Sequence, residues 1–168
     1  MDNPKGAKSA EGVVKVMMEK MPPIEKIYEA YSAIADCRIV MREDSASVAS
    51  SDHAKEYAVK WEEGAYSSND NASYWGGYAG YPIIAVLMLQ GKLKLDRFVA
   101  GLFKGINWKK LNEKHKSKYS QAVQEVLDDL KAKGNDTDAI IKNVEEVYRE
   151  LESLEISLKR SSVKRKSK

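Results

Sequence analysis

The sequence predicts an α+β fold, predominantly α-helical: a helical core with a small antiparallel β-meander at about residues 44–68 and a C-terminal antiparallel helix hairpin at about residues 108–158. Three observations predict it. The run Pro82–Leu89 carries no polar side chain at any position, so it forms a segment buried on all sides. Between residues 45 and 61 the pattern repeats in steps of two, the period of a half-buried strand. Beyond residue 107 the apolar residues recur every three or four positions, the period of helices.

Taken in order, VVKVMMEKM at residues 13–21 predicts a short helix that Pro22 and Pro23 stop. Pro23 then opens a second helix with Ile24, Ile27, Tyr28, Tyr31 and Ile34 on one face, fading near Asp36. Ile39, Val40 and Met41 extend either this helix or the first strand, and the pattern does not choose. Ala46, Val48 and Ser50 alternate with their neighbours, the turn-like Ser51–Ala54 follows, and Tyr57, Val59 and Trp61 alternate again. Glu62-Glu63-Gly64 offers a second turn into AYSS, which completes a three-stranded meander.

The stretch Asn69–Lys92 concentrates aromatics, glycines and the apolar run. Asn69, Asp70 and Asn71 are helix-capping residue types, because their short side chains accept from unpaired backbone N–H groups. Tyr74, Tyr78 and Tyr81 follow at helical spacing, and Gly77 and Gly80 are read as points where another element approaches closely. Pro82 opens a helix that ends at Gly91. Asp96 caps a short helix, and Asn107 caps a longer one through Trp108, Leu111, His115, Tyr119, Ala122, Val126 and Leu130 that Gly134 closes. In the last helix Ile140, Val144, Val147, Leu151, Leu154 and Leu158 form a narrow seam. The short connection favours pairing of that seam within the chain, with self-association through the last helix as the alternative.

Residues 1–158 read as one globular domain and residues 159–168 as a basic, disordered tail. The longest apolar run falls far short of the ~20 residues that span a bilayer, so no membrane association is expected. The N-terminus lacks a signal peptide's pattern, and Cys37 is the chain's one cysteine, which together predict a cytoplasmic protein without an internal disulfide. Charge is segregated: residues 92–118 hold 9 basic and 2 acidic side chains, whereas residues 121–158 hold 4 basic and 10 acidic.

Chemistry-bearing motifs are sparse. His53 and His115 stand far apart, no Cys or His cluster has metal-site spacing, and the Gly77–Gly80 pair lacks the rest of any phosphate or dinucleotide loop. The sequence therefore names no catalytic residue, metal ligand or cofactor. The leading reading is a cytosolic, non-enzymatic interaction module. A second is nucleic-acid or anion binding through Lys92, Lys94, Arg97, Lys104, Lys109, Lys110 and Lys114, because clustered cations contact phosphates without regard to sequence. Lys109 and Lys110 would sit unfavourably at the positive end of a helix, a local conflict that can mark a phosphate site. A third is a small-ligand site at Tyr74, Trp75 and Tyr78, within the aromatic segment 66–81.

Overall fold

A computed structural model describes residues 18–161 and shows an α+β fold with a five-stranded sheet and six α-helices among those residues. The helix predicted at 13–21 lies largely outside the described residues, and Met18–Met21 are not helical. Helix α1 spans Glu25–Ala35 and is buried nearly all round from Ile27 to Ile34. Strand β1 (Ile39–Met41) resolves the open choice in favour of a strand. It leads into β2 (Ser45–Ala49), β3 (Glu56–Glu62) and β4 (Ala65–Ser68). Their order in the sheet is their order in the chain, each pair antiparallel.

The alternation in the sequence is the inside–outside alternation of the sheet. Ala46 and Val48 are buried and pair with Val59 and Tyr57 of β3, while Ser45, Ser47 and Ala49 are only half-buried. Behind this face lies α2 (Tyr81–Leu89), whose residues Pro82–Met88 are all buried. It packs on α1 on one side and on β3 and β4 on the other. This placement is why the segment carries no polar side chain.

Helices α3 (Arg97–Gly101), α4 (Trp108–Lys114), α5 (Tyr119–Ala132) and α6 (Thr137–Ser153) follow. The long helix expected from Asn107 to Gly134 is two helices. Lys116 and Ser117 take left-handed backbone angles, φ 55° and 64°, and turn the chain between them. A continuous helix would have stacked Lys110, Lys114 and Lys118 at four-residue spacing, where like charges repel. The bend takes Lys118 out of that row, and His115 Nε2 lies 2.8 Å from Glu125 Oε1 across the corner.

The hairpin of α5 and α6 turns at Gly134 and Asn135, with Asp136 capping α6 by accepting from the Ala139 N–H at 3.1 Å. The seam residues Ile140, Val144, Val147 and Leu151 are buried within the chain, where α6 packs on α1 and α5. The end of the last helix differs from expectation. Helix α6 stops at Ser153, and Ser157–Leu158 form β5, which adds in parallel to β4 and so crosses back over the whole helical half. The basic end is held at its start as well: the Lys159 N–H donates to the Tyr66 carbonyl, and Ser161 is buried. Two-residue strands carry too little pattern to be seen in a sequence.

Candidate functional site

Helix α1 presents two ionisable side chains one turn apart, Lys26 and Glu29. Both are largely buried, with Nζ and Oε2 at 3.7 Å. Glu29 also accepts a long hydrogen bond, 3.4 Å, from Nδ2 of Asn112 on α4. Burial holds the Glu29 carboxyl above the ordinary carboxylate range, although Lys26, Asn112 and Arg38 all act to lower it. Burial alone would lower the Lys26 ammonium, but Glu29, with smaller contributions from Tyr119, Tyr78 and Asp70, raises it, so Lys26 remains charged.

These groups stand on one side of a cleft of about 370 Å³. The β2–β3 connection supplies Ser50, Ser51, Asp52 and Lys55, and the start of β3 supplies Tyr57. Asp70, Ala72, Gly76 and Tyr78 come from the segment leading to α2, and Tyr81 from the first position of α2 itself. Trp108, Lys109 and Asn112 on α4 and Tyr119 at the start of α5 complete the lining. Asn112 and Tyr119 thus face one cleft from successive helices on either side of the bend at Lys116 and Ser117.

The rim is built from local hydrogen bonds. The Ser51 hydroxyl oxygen accepts from the backbone N–H of Trp108 at 2.9 Å and of Lys109 at 3.4 Å, tying the β2–β3 connection to α4. Asp52 accepts from the Ala54 N–H and from the Ser50 hydroxyl, which lower its carboxyl below the usual range. Asp70 is buried and accepts from the Ser68 hydroxyl and the Ser73 N–H. The chain then makes a π-helical turn at Ala72–Gly76, closed by Gly77 in the left-handed region at φ 75°. Such turns are rare and recur at functional sites.

Gly80 allows Asp70 and Ala72 to come this close: a Cβ there would overlap the Asp70 carboxylate and stand 3.2 Å from Ala72 Cβ. Beneath Tyr81, the Arg38 guanidinium lies 5.9 Å from the ring centroid, its Nε donating to Asp36 and its Nη1 to the Ala49 carbonyl. Burial pushes the Tyr81 phenol far above its ordinary range. Among the described residues two buried side-chain polar atoms have no hydrogen-bond partner, Arg38 Nη2 and Asn112 Oδ1. Arg38 and Asn112 both act on Glu29.

The residues singled out from sequence are distributed unevenly about this cleft. Tyr78 lines it. Tyr74 and Trp75 do not; they meet edge to face with centroids 4.7 Å apart, and the Arg160 guanidinium covers both, at 4.8 and 5.3 Å. Lys109 lines the cleft, whereas the other cations are dispersed. Lys92 borders a shallow depression on α6 that includes Glu146 and Glu150, and Lys94 Nζ bonds Glu146 at 3.0 Å. Arg97 and Lys104 are exposed at either end of the α3 region, Lys110 is exposed on α4, and Lys114 bonds Glu125 at 2.9 Å. Among the described residues no group of three or more His, Cys, Asp and Glu side chains is placed to hold a metal ion, and no helix is long and apolar enough to cross a membrane.

Lys26, Glu29, Asp70, Asn112 and Tyr119 are not among the site residues that the sequence names. One signal was available for Glu29: it is the only charge in YEAYSAIA, a stretch otherwise made of apolar and small residues. A carboxylate in a helix turn buried all round needs a partner, and that need points at Lys26.

A family model described as "Uncharacterised conserved protein UCP014422" matches residues 19–157. The chain belongs to that family. The matched span runs from just before α1 to the first residue of β5, so every segment that lines the cleft lies within the family's common region. No match was found among curated proteins or among solved structures.

Proposed function

We propose that this protein binds a small molecule, non-catalytically, in the cleft between α1, the β2–β3 connection, the π-helical turn and α4. One observation carries the reading. The partnerless buried acceptor on Asn112 borders the same cleft as the buried Glu29–Lys26 pair. Buried polar groups normally find partners, and leaving one without costs about 1–3 kcal/mol. A cleft of about 370 Å³ with aromatic walls and a few convergent polar groups has the size and make-up of small-molecule sites, which run from roughly 300 to 1,000 Å³.

The reading keeps Tyr78 from the aromatic segment and moves the rest of the site onto α1, α4 and α5. A phosphate-backbone site on residues 92–118 receives less support, since Lys94 and Lys114 are bonded to carboxylates and Lys92, Lys94 and Lys109 border three different depressions. A fragment screen by ligand-observed NMR, with hits placed by chemical-shift changes on the protein, tests the proposal. Hits should map to Lys26, Asn112 and Tyr119 and weaken in a folded Tyr78→Ala variant. Absence of any hit in the cleft would overturn it.

A further inference from the structure

The lining of the cleft is charge-balanced: Lys26, Lys55 and Lys109 stand against Glu29, Asp52 and Asp70. A ligand of net charge entering such a lining gives up its hydration without meeting a surplus of opposite charge. Glu29 in particular is already faced by Lys26 at 3.7 Å, so it offers an added cation little.

The floor then specifies what a neutral ligand must present. Asn112 spends its Nδ2 donor on Glu29 Oε2. Turning the amide would set its oxygen against the carboxylate, so the orientation is fixed and Oδ1 is left as a buried acceptor without a partner. An ionised carboxylate is likewise an acceptor only. Two neighbouring acceptors ask for two neighbouring donors. Beside them, Lys26 is the available donor for an acceptor on the ligand. The rings of Tyr57, Tyr78 and Tyr81 offer apolar surface to a flat or ring-shaped body, while Tyr119 already carries Lys26 Nζ at 4.4 Å from its centroid.

We infer that the cleft takes an electrically neutral, ring-bearing ligand that donates a pair of hydrogen bonds to Glu29 and Asn112. Two chemical sources present such a pair: the N–H edge of a nucleoside base and the adjacent hydroxyls of a sugar. The inference rests on the ligand-binding reading above and adds the chemical class to it.

Isothermal titration calorimetry on the full chain separates the sources with four probes: guanosine, methyl α-D-glucopyranoside and their charged counterparts guanosine 5′-monophosphate and glucose 6-phosphate. One neutral probe should bind, and its phosphorylated counterpart should bind no tighter. If the base is the source, inosine, which lacks the 2-amino donor, should bind about tenfold more weakly than guanosine, the worth of one hydrogen bond to a buried acceptor. Asn112→Leu should weaken the neutral probe by about tenfold or more while the melting transition is retained. Tighter binding of a phosphorylated probe overturns the inference, and needs no variant to do so. So does unchanged affinity in folded Asn112→Leu. If neither neutral probe binds while fragments still map to the cleft, the chemical class is wrong and ligand binding stands. If no fragment maps there, both fall.

Discussion

Replacing Lys26 by Met tests the central pair of the cleft, because Met keeps most of the stem and removes the charge. At 3.7 Å the attraction between Nζ and Oε2 amounts to about 4.5 kcal/mol at the effective dielectric typical of protein sites. That gross figure is not the expected loss. Glu29 can escape its isolation by taking up a proton, and for a carboxyl of ordinary pKa 4.5 this costs about 3.4 kcal/mol at pH 7. Since burial already holds Glu29 above that value, the escape is cheaper still. The variant should therefore lose about 2–3 kcal/mol at pH 7, and under about 1 kcal/mol at pH 5, where the same protonation costs only about 0.7 kcal/mol.

The sign follows from linkage. A carboxyl whose folded pKa is raised binds more protons folded than unfolded, so it favours the folded state most below its unfolded pKa. Its contribution falls as the pH rises from there through the folded pKa. Removing Lys26 moves the folded pKa further up and steepens that fall. Urea unfolding of the wild type, Lys26→Met and Lys26→Met/Glu29→Gln at pH 5 and pH 7 provides the measurement. The double variant should recover most of the loss at pH 7. An equal loss at both pH values, or a double variant no more stable than the single one, would refute the account of Glu29 as a buried charge held by Lys26.

Three further outcomes are expected. Gly80→Ala should cost about 1–3 kcal/mol in a thermal melt, because the new methyl overlaps the Asp70 carboxylate; an unchanged transition would mean that the close approach is not constrained. Trp108→Phe removes the 2.7 Å hydrogen bond from Nε1 to the Ser32 hydroxyl, which itself donates to the Phe103 carbonyl. It should cost about 1 kcal/mol or more by urea unfolding, whereas Ser32→Ala should be the more damaging change. Asp136→Ala should cost about 1 kcal/mol through the lost cap of α6, and Asp136→Asn, which keeps the accepting oxygen, should restore most of it.

The elements that the sequence declares are those whose residues answer to one local period. Helix α2 is apolar all round because α1 lies on one side and the sheet on the other, and the Ala46–Val48 alternation is one face of a sheet. The α6 seam reads correctly for the same reason, as far as Leu151. Legibility fails where a decision is made at long range. Lys116 and Ser117 bend the chain although the apolar spacing through Leu111, His115 and Tyr119 continues across them, so a periodic reading runs straight through. Strand β5 exists because β4 offers an edge about ninety residues earlier. The cleft is the extreme case: Glu29, Asp52, Asp70, Asn112 and Tyr119 come from five separate segments, and no spacing relates them. Tyr78 is legible because aromatics cluster near it in the chain, and that same clustering draws in Tyr74 and Trp75 although they face Arg160.

The parallel pairing of Ala65 and Tyr66 with Ser157 and Leu158 also sets a schedule. During synthesis the meander is complete once Ser68 has emerged, yet the outer edge of β4 stays bare while α1's remaining partners, α2 to α6, are still being made. An uncovered strand edge is a template for pairing with another chain, and contacts this distant in sequence form late because their loop must close first. The nascent protein thus carries a bare β4 edge, besides that of β1, until β5 covers Ala65 and Tyr66. Shortening the chain before Ser157 would be expected to show itself first as aggregation of newly made protein, ahead of any loss of stability in molecules that had already folded.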